Sequence, residues 1–348
     1  MAAYTTIDNP ELYFQCKIYA GDGNSTQAIT LDGSEDMQPN LVWVKNRTDE
    51  VWHVWSDSIA GAGAANDLAT NSDEAAGGGN KASYGFLSAF GSDGFTVSEG
   101  SSNASMSNQS SKNYVAWCWK ESATAGFDIV SYTGNGSART ISHNLSAVPD
   151  WMVVKNRDSD SRDWQVYAGD ETDALALNQT DATGDSDVYW NDTAPTSSVF
   201  SVKSGATNNS SDATTGYIFT SIQGYSKMDY YDGNGNVNGP FIYLGFRPAW
   251  FMIKRTNASE QWEVVDNKRS VDNPVNDVLV PNDDVAEVAA VTGNRIYCDF
   301  LANGVKLRGN ASSANESGGR FFFIAFAEQP FVNSNGVPVT ARYLCYKN

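Results

Sequence analysis

A threefold repeat constrains this sequence more than any other feature. A proline, a run of large apolar residues and a lysine six positions after the proline occur at 39–45, 149–155 and 248–254. Self-similarity at a fixed period, here about 110 and then about 100 residues, indicates repeated structural units. A chain of 348 residues has room for three domains of ordinary size. We therefore predict three units at 1–122, 123–226 and 227–331, followed by a C-terminal tail at 332–348.

Short apolar runs separated by Gly, Asn, Asp and Ser fill each unit, and helical periodicity is nearly absent. This pattern predicts an all-β chain of three tandem antiparallel β-sandwich domains, of jelly-roll or lectin-like type, with long surface loops. The stretch 60–83 is poor in large apolar residues and is predicted to be such a loop. Gly-x-Gly triplets at 21–23, 134–136 and 233–235 predict hairpin turns.

The repeated strand is apolar on both faces. Trp151 and Val153 point to one side, and Met152 and Val154 point to the other, because side chains alternate along a strand. Cover for the second face could come from a neighbouring repeat, a long loop or another subunit. We expect the chain to partner with itself as a homo-oligomer, with a trimer favoured.

The residues that define the repeat are interpreted as structural. A lysine that ends an apolar strand is expected to lie along it and to send its ammonium group to water or a nearby carboxylate. Ligand or anion binding by these lysines is the alternative. The set consists of Pro39, Lys45, Pro149, Lys155, Pro248 and Lys254.

The charge balance excludes some partners. Forty-one acidic and 23 basic residues give a net charge of −18, which repels nucleic acid and anionic membranes. We therefore expect a soluble protein with no nucleic acid partner; steering of cationic ligands is the sharper alternative. The apolar runs are shorter than a transmembrane helix needs, and the first ten residues have no signal-peptide pattern, so we expect no membrane insertion.

Catalytic and metal motifs are weak. His53 and His143 lack an accompanying nucleophile motif, and no acidic pair of glycosidase type can be identified, so we predict a non-enzyme without cofactors or metal. Irregular calcium binding near 181–187 is the alternative. The four cysteines, with no zinc spacing, predict buried free thiols, and a disulfide between Cys16 and Cys118 is the alternative.

Aromatic residues in polar surroundings are the best candidates for contact with a receptor or glycan. Tyr189 and Trp190 are flanked by acidic and polar residues that include Asp192. Trp52 and Trp55 are further candidates, although their spacing also suits strand packing. Burial of the Tyr189–Trp190 pair against a neighbouring unit is the alternative.

One combination of motifs resembles a domain of bacteriophage structural proteins. The Gly-Asn-Gly turn is followed by Ile-Ser-His-Asn-Leu-Ser-Ala-Val-Pro at 141–149, an apolar strand ending in Lys-Asn-Arg, and a tryptophan about nine residues later. Segments 4–10, 114–120 and 326–331 extend the resemblance over nearly the whole chain. Ser146 stands where the family usually has glycine, Gly245 restores it in the third copy, and the first copy lacks the His-x-Leu-Gly turn.

The resemblance implies a virion protein with concanavalin-A-like lectin domains, frequent in marine and cyanobacterial phages. It implies a tail-fibre or receptor-binding component that mediates host attachment, made in the host cytoplasm and located on the virion tail or capsid surface. Implied partners are other tail or capsid proteins and a host surface glycan. A capsid decoration or head-fibre protein, a tail-associated polysaccharide depolymerase and a soluble carbohydrate-binding module are the alternatives. The resemblance assigns no catalytic residue to the chain.

Overall fold

Antiparallel β-strands dominate the computed structural model, which describes residues 6–79, 81–290 and 294–330. The described helices are short: α1 (Lys81–Tyr84), α2 (Asp187–Trp190), α3 (Ser312–Asn315), and 3-10 turns at Pro10–Leu12, Ala123–Ala125 and Gly205–Thr207. The predicted all-β class is confirmed. The predicted tail at 332–348, which includes Cys345, lies outside the described residues.

Repeat 1 contains two antiparallel sheets. The inner sheet has the order β1-β7-β3-β4, and the outer sheet has the order β2-β6-β5. The strands are β1 (Phe14–Ala20), β2 (Thr26–Thr30), β3 (Leu41–Asn46), β4 (Val54–Asp57), β5 (Phe86–Gly91), β6 (Gly94–Ser98) and β7 (Asn113–Trp119).

Repeat 2 has the same inner order, β8-β15-β10-β11, extended at one edge by β12 and β13. Its outer sheet consists of β9 and β14. The strands are β8 (Phe127–Thr133), β9 (Arg139–Ser142), β10 (Trp151–Asn156), β11 (Gln165–Tyr167), β12 (Asp173–Ala176), β13 (Gly184–Asp185), β14 (Val199–Val202) and β15 (Ala213–Phe219).

Repeat 3 repeats the pattern, with inner order β16-β24-β18-β19, outer order β17-β23-β22 and a small β20–β21 pair. The strands are β16 (Ser226–Asp232), β17 (Phe241–Tyr243), β18 (Phe246–Arg255), β19 (Trp262–Asp266), β20 (Asp277–Val278), β21 (Val288–Ala289), β22 (Cys298–Leu301), β23 (Gly304–Leu307) and β24 (Arg320–Pro330). The predicted proline-to-lysine strand is therefore an inner strand of each inner sheet.

One face of all three inner sheets lines a single central core. Trp43, Trp151 and Trp250 occupy equivalent places on β3, β10 and β18 and belong to one apolar cluster. The aromatic rings of different repeats touch: Trp117 lies 6.2 Å from Trp250, and Trp55 lies 5.4 Å from Trp164. Burial of a large apolar side chain contributes roughly 1.5–3 kcal/mol, so this shared cluster is a large part of the stability.

The opposite faces of the inner sheets pack against the outer sheets. In repeat 1, Val42 and Val44 share an apolar cluster with Phe95 and Val97 of the outer sheet, as in a β-sandwich. Separate clusters fill the same space in repeats 2 and 3. The neighbouring repeats therefore cover the second apolar face, and two-sided burial does not require another subunit.

Two loop predictions need correction. The Gly-x-Gly turns are not hairpins, because β1 lies in the inner sheet and β2 in the outer sheet, so the turn crosses between sheets. The stretch 60–83 is not entirely surface loop: Leu68 and Thr70 are fully buried, and Leu68 belongs to the central core. A small number of apolar residues suffices there because the neighbouring repeat supplies the rest of the contact.

A buried asparagine holds each Gly-x-Gly turn. In repeat 2, Asn208 Nδ2 donates to Asn135 Oδ1 at 2.9 Å and to the Ser137 carbonyl at 2.7 Å, and Asn208 Oδ1 accepts from the Asn135 amide at 3.1 Å. Asn108 and Asn315 make the equivalent bonds in repeats 1 and 3. Backbone also approaches Gly134 closely, because a Cβ there would lie 1.9 Å from the Asn209 carbonyl oxygen.

The thiols of Cys16 and Cys118 lie on opposite faces of the inner sheet of repeat 1. Cys16 lies in the central core and Cys118 lies in the repeat 1 sandwich core, on the other face. Both are free and buried, as is Cys298. The prediction of buried free thiols is confirmed for these three, and burial raises the pKa of each thiol well above its ordinary value.

Candidate functional site at the junction of repeats 1 and 3

Three loops tie the repeats into a closed ring. We call residues 66–76, 174–183 and 278–287 the junction loops of repeats 1, 2 and 3. Each contacts the inner sheet of the next repeat: loop 1 meets repeat 2, loop 2 meets repeat 3 and loop 3 meets repeat 1. The contacts place hydrogen-bond donors at equivalent positions of the three repeats, which makes the ring approximately threefold.

The signature lysines are the first set of donors. Lys45 Nζ donates to the Val51 carbonyl of its own turn at 2.8 Å and to the Asp284 carbonyl of loop 3 at 3.0 Å. Lys155 bonds Arg162 at 2.6 Å and Asp73 of loop 1 at 3.1 Å. The described contacts of the third lysine are Lys254 to Glu260 at 2.6 Å and to Thr180 of loop 2 at 2.7 Å.

The structural role predicted for these lysines therefore needs refinement. Their side chains are fully buried, and their ammonium groups meet backbone carbonyls of two repeats rather than water or a carboxylate. Burial lowers the pKa of Lys45, Lys155 and Lys254 to about 8. Each lysine connects its own strand turn to the preceding loop of the ring.

Aromatic or imidazole nitrogens are the second set of donors. Trp164 Nε1 bonds the Ala69 and Ser72 carbonyls of loop 1 at 3.0 Å, and Trp262 Nε1 bonds the Ala176 carbonyl of loop 2 at 2.9 Å. In repeat 1 this place belongs to His53, whose Nε2 lies 3.1 Å from the Val280 and Asp283 carbonyls of loop 3.

The two histidines have separate environments. His53 is fully buried, and burial lowers its pKa well below the ordinary value. His143 lies near the outer sheet of repeat 2, where its Nε2 is 3.1 Å from the Thr196 carbonyl. The structure does not bring the two together, and His53 serves the ring as a donor to loop 3.

Backbone amides are the third set. The Ala76 amide donates to the Arg157 carbonyl at 2.8 Å, Thr183 donates to Thr256 at 2.8 Å, and Glu287 donates to Arg47 at 3.0 Å. The acceptor in each case lies two residues after the signature lysine. Three kinds of contact, each present three times, define the ring.

The junction of repeats 3 and 1 carries a charge network as well. Arg47 bonds both carboxylate oxygens of Glu287, at 2.8 and 2.6 Å. Arg269 is buried, contacts Glu287 at 3.0 Å and Asp266 at 2.6 Å, and Asp266 accepts from Trp117 Nε1 at 3.0 Å. This junction joins the two ends of the ring, which are not consecutive in sequence.

Two of the predicted contact residues are internal. Trp55 is 1% exposed in the central core, and Trp190 is 1% exposed in the sandwich core of repeat 2, beside Tyr167. Their indole rings are therefore covered, and Trp190 is buried within its own repeat rather than against a neighbouring one. Tyr189 is half-buried, and Asp192 is exposed with a φ of 42°.

Trp52 lies in a cavity of repeat 1. The other nine tryptophans of the chain are at most 2% exposed, whereas Trp52 is half-buried. The cavity has a volume of about 370 Å³. Its lining residues are Glu50, Val51, Trp52, Gly79, Tyr84, Ser105, Met106 and Asp284, the last from loop 3.

Backbone geometry holds the Trp52 ring in place. Gly79 has a φ of +69°, and a Cβ there would lie 2.1 Å from Trp52 Cε3. The missing side chain lets the backbone pack directly against the indole. Tyr84, 38% exposed at the end of α1, supplies a second aromatic ring. Asp284 also accepts from Lys45 through its backbone carbonyl, so the ring contact positions one wall of the cavity.

The corresponding surfaces of the other repeats differ. A cavity of about 220 Å³ beside the loop of repeat 2 is lined by Asp163, Gln179 and Tyr189, among others. A cavity of about 190 Å³ in repeat 3 is lined by Arg295 and Tyr297, among others. The combination of a tryptophan, a tyrosine and two carboxylates is found in the repeat 1 cavity.

Sequence patterns found Trp52 but not its surroundings. Gly79 and Tyr84 belong to no motif, and Asp284 lies about 200 residues further along the chain. Within the described residues, no group of three or more His, Cys, Asp or Glu side chains could hold a metal ion. In the same part of the chain, no helix is long and apolar enough to cross a membrane.

A protein family model matches residues 9–330, and its description is a domain of unknown function, DUF7483. The match begins before β1 and includes all three repeats. No curated protein and no solved structure matches the chain. Because the model spans most of the sequence, the chain belongs to the DUF7483 family.

Proposed function

We propose that this chain is a structural protein of a bacteriophage particle and acts in host attachment, as a tail-fibre or receptor-binding component. The motif resemblance around 134–164 supports this proposal. The observation that carries it is the closed ring with an aromatic cavity at its 3–1 junction. A rigid ring provides a support, and the cavity provides a place for a receptor group.

Each repeat is, in this proposal, a lectin-like β-sandwich domain, and the three domains fold together around the central core. The shared cluster of inner-sheet aromatics supports joint folding. The proposal does not depend on a homotrimer, because three repeats of one chain already cover both faces of each inner sheet. The net charge of −18 favours an exposed, soluble position on a particle.

Localisation on the particle tests the proposal. Immunogold labelling of virions with antibody against the purified chain should place gold on the tail. Gold on the head would instead indicate a capsid decoration or head-fibre protein. The same ring could support that role. Label absent from particles that still contain a tail marker would refute a virion role.

A second assay tests for enzymatic activity. Incubation of the purified chain with host envelope polysaccharide should release no reducing ends if the cavity only binds its ligand, although Glu50 and Asp284 both line it. Release of reducing ends would show that the chain is a depolymerase rather than a binding protein alone. A matched reaction with the Trp52→Ala variant would show whether that activity uses the cavity.

A further inference from the structure

We propose that the Trp52 cavity binds a small organic ammonium group, such as the amine of an amino sugar or a quaternary ammonium headgroup. The inference deepens the proposed attachment function and rests on it for its biological meaning. The binding itself can be tested on the purified chain, so its failure would leave the placement on the particle to be judged separately.

The aromatic wall is the first argument. A cation is attracted to the face of tryptophan or tyrosine by the ring quadrupole, and this attraction increases as the cation loses water. Trp52 and Tyr84 both line the cavity, and Gly79 fixes the position of the indole. Met106, a largely buried residue, adds an apolar and polarizable side chain to the lining.

The charge of the wall is the second argument. Glu50 and Asp284 line the cavity, and the described residues of its lining include neither lysine nor arginine. Basic side chains of the neighbouring turn and strand are engaged by other carboxylates: Arg47 pairs with Glu287, and Lys112 pairs with Asp49. A bound anion would therefore meet two carboxylates, whereas a bound ammonium group would complement them.

Two lysines adjoin the wall, and both are already coordinated. Lys45 donates to the Val51 and Asp284 carbonyls, and Lys81 donates to the Gly78 carbonyl at 3.0 Å. Both side chains are buried, at 0% and 1% exposure. These bonds form part of the framework that holds Val51 and Asp284, and the cavity surface remains aromatic and acidic.

The lining of the cavity in repeat 1 differs from the linings of the corresponding cavities in repeats 2 and 3. Trp52 is the tryptophan that the ring does not bury, whereas Trp164 and Trp262 serve the junctions. The repeat 2 cavity has Tyr189 without a tryptophan, and the repeat 3 cavity includes Arg295. We therefore assign the ammonium site to the cavity at the 3–1 junction.

The test is a titration of the full chain at neutral pH and low salt with glucosamine, choline, N-acetylglucosamine and glucose. We expect glucosamine or choline to bind about tenfold more tightly than the neutral sugars, with a change in tryptophan fluorescence that the Trp52→Ala variant does not show. Tighter glucosamine binding would indicate a saccharide source, and tighter choline binding would indicate a headgroup. Equal binding of charged and neutral ligands, or no binding of either cation, would overturn the inference.

Variants connect the binding to the cavity. Trp52→Ala should abolish the preference, and the pair Glu50→Gln with Asp284→Asn should weaken cation binding about tenfold. Asp192→Asn, an exposed change on repeat 2, is the matched control and should bind like the unmodified chain. Each variant is first shown to keep the unfolding midpoint of the unmodified chain. Folded cavity variants that bind normally, or a control that weakens binding equally, would refute the assignment.

Discussion

The indole nitrogen of Trp43 lies 2.9 Å from His53 Nδ1 and donates a hydrogen bond to it. His53 Nδ1 is therefore an acceptor, which leaves the proton of the neutral ring on Nε2, facing the Val280 and Asp283 carbonyls. A histidine can thus fill a place that tryptophans fill in repeats 2 and 3, because it accepts from one side and donates to the other.

Acid should weaken the 3–1 junction through His53. Its folded pKa is far below its ordinary value of 6.5, so the unfolded chain binds the proton more readily, and stability that is present above pH 6.5 is lost as the pH falls. We expect a loss of up to about 2 kcal/mol in unfolding free energy between pH 6.5 and 5. Denaturant unfolding of the chain and of His53→Gln at both pH values measures it.

Both the unmodified chain and His53→Gln contain the same carboxylates, whose protonation also changes stability in acid. The difference between their pH dependences therefore reports the imidazole of His53 alone. An unmodified chain and a His53→Gln variant with the same dependence on pH would contradict the assignment.

Alkali should act in the opposite sense through the signature lysines. The pKa of Lys155 is about 8 in the folded chain, below its ordinary value of 10.5. The unfolded chain therefore holds this proton more tightly, so the stability that the lysine contributes above pH 10.5 is lost as the pH falls through 8. Raising the pH from 8 to 10 should therefore increase its contribution by up to about 2–3 kcal/mol. Urea unfolding of the chain and of Lys155→Met at both pH values gives this difference.

At neutral pH, Lys155→Met should lower stability by about 1–3 kcal/mol, because the Asp73 and Arg162 carbonyls lose their donor. Lys203→Met, at a more exposed lysine, should change stability by less than about 1 kcal/mol. If Lys155→Met were as stable as the unmodified chain and had the same alkaline slope, the lysine contact would not be a structural tie.

The charge network should make the 3–1 junction sensitive to single changes. Glu287→Gln leaves the buried Arg269 with Asp266 as its remaining carboxylate partner and removes the paired contact to Arg47. We expect a loss of about 2–4 kcal/mol, since a buried charge that loses a partner is costly. Thermal unfolding measured beside Lys203→Ala, which breaks a more exposed pair, tests this: equal small effects would contradict it.

The buried asparagine of repeat 2 should be as important as a core residue. Asn208→Ala removes bonds to Asn135, Ser137 and Lys203, and we expect a loss of about 2–4 kcal/mol. Asn208→Asp keeps the acceptor but loses the donor, and should also be destabilising. Equilibrium unfolding measures both, and an Asn208→Asp variant with unchanged stability would show that the amide donor is unimportant.

An isolated repeat should not fold, because the central core is shared. In residues 123–226 alone, Trp151, Trp164 and Tyr217 would lose their covering from the other repeats. We expect the fragment to show no cooperative thermal transition by circular dichroism, whereas the full chain shows one. A fragment with a sharp transition would establish independently stable domains.

Much of this architecture was predictable from local pattern. The proline-to-lysine spacing identified one inner strand in each repeat, and alternation along 151–154 correctly assigned Trp151 and Met152 to opposite faces. The turns were harder, since a Gly-x-Gly triplet fits both a hairpin and a crossing between sheets, and only long-range pairing of strands separates these. Trp55 and Trp52 looked alike as candidates because sequence spacing does not show which side faces a neighbouring repeat.

The sequence by itself determined the strands, the threefold repeat, the acidic surface and the free thiols, because these depend on residue type and short spacing. Tertiary structure alone decided that the other repeats cover the second face of each inner sheet. It also joined Trp52, Tyr84 and Asp284 in one cavity across more than two hundred residues of chain. Contacts of that range depend on how the three sheets close into a ring, and no local preference encodes them.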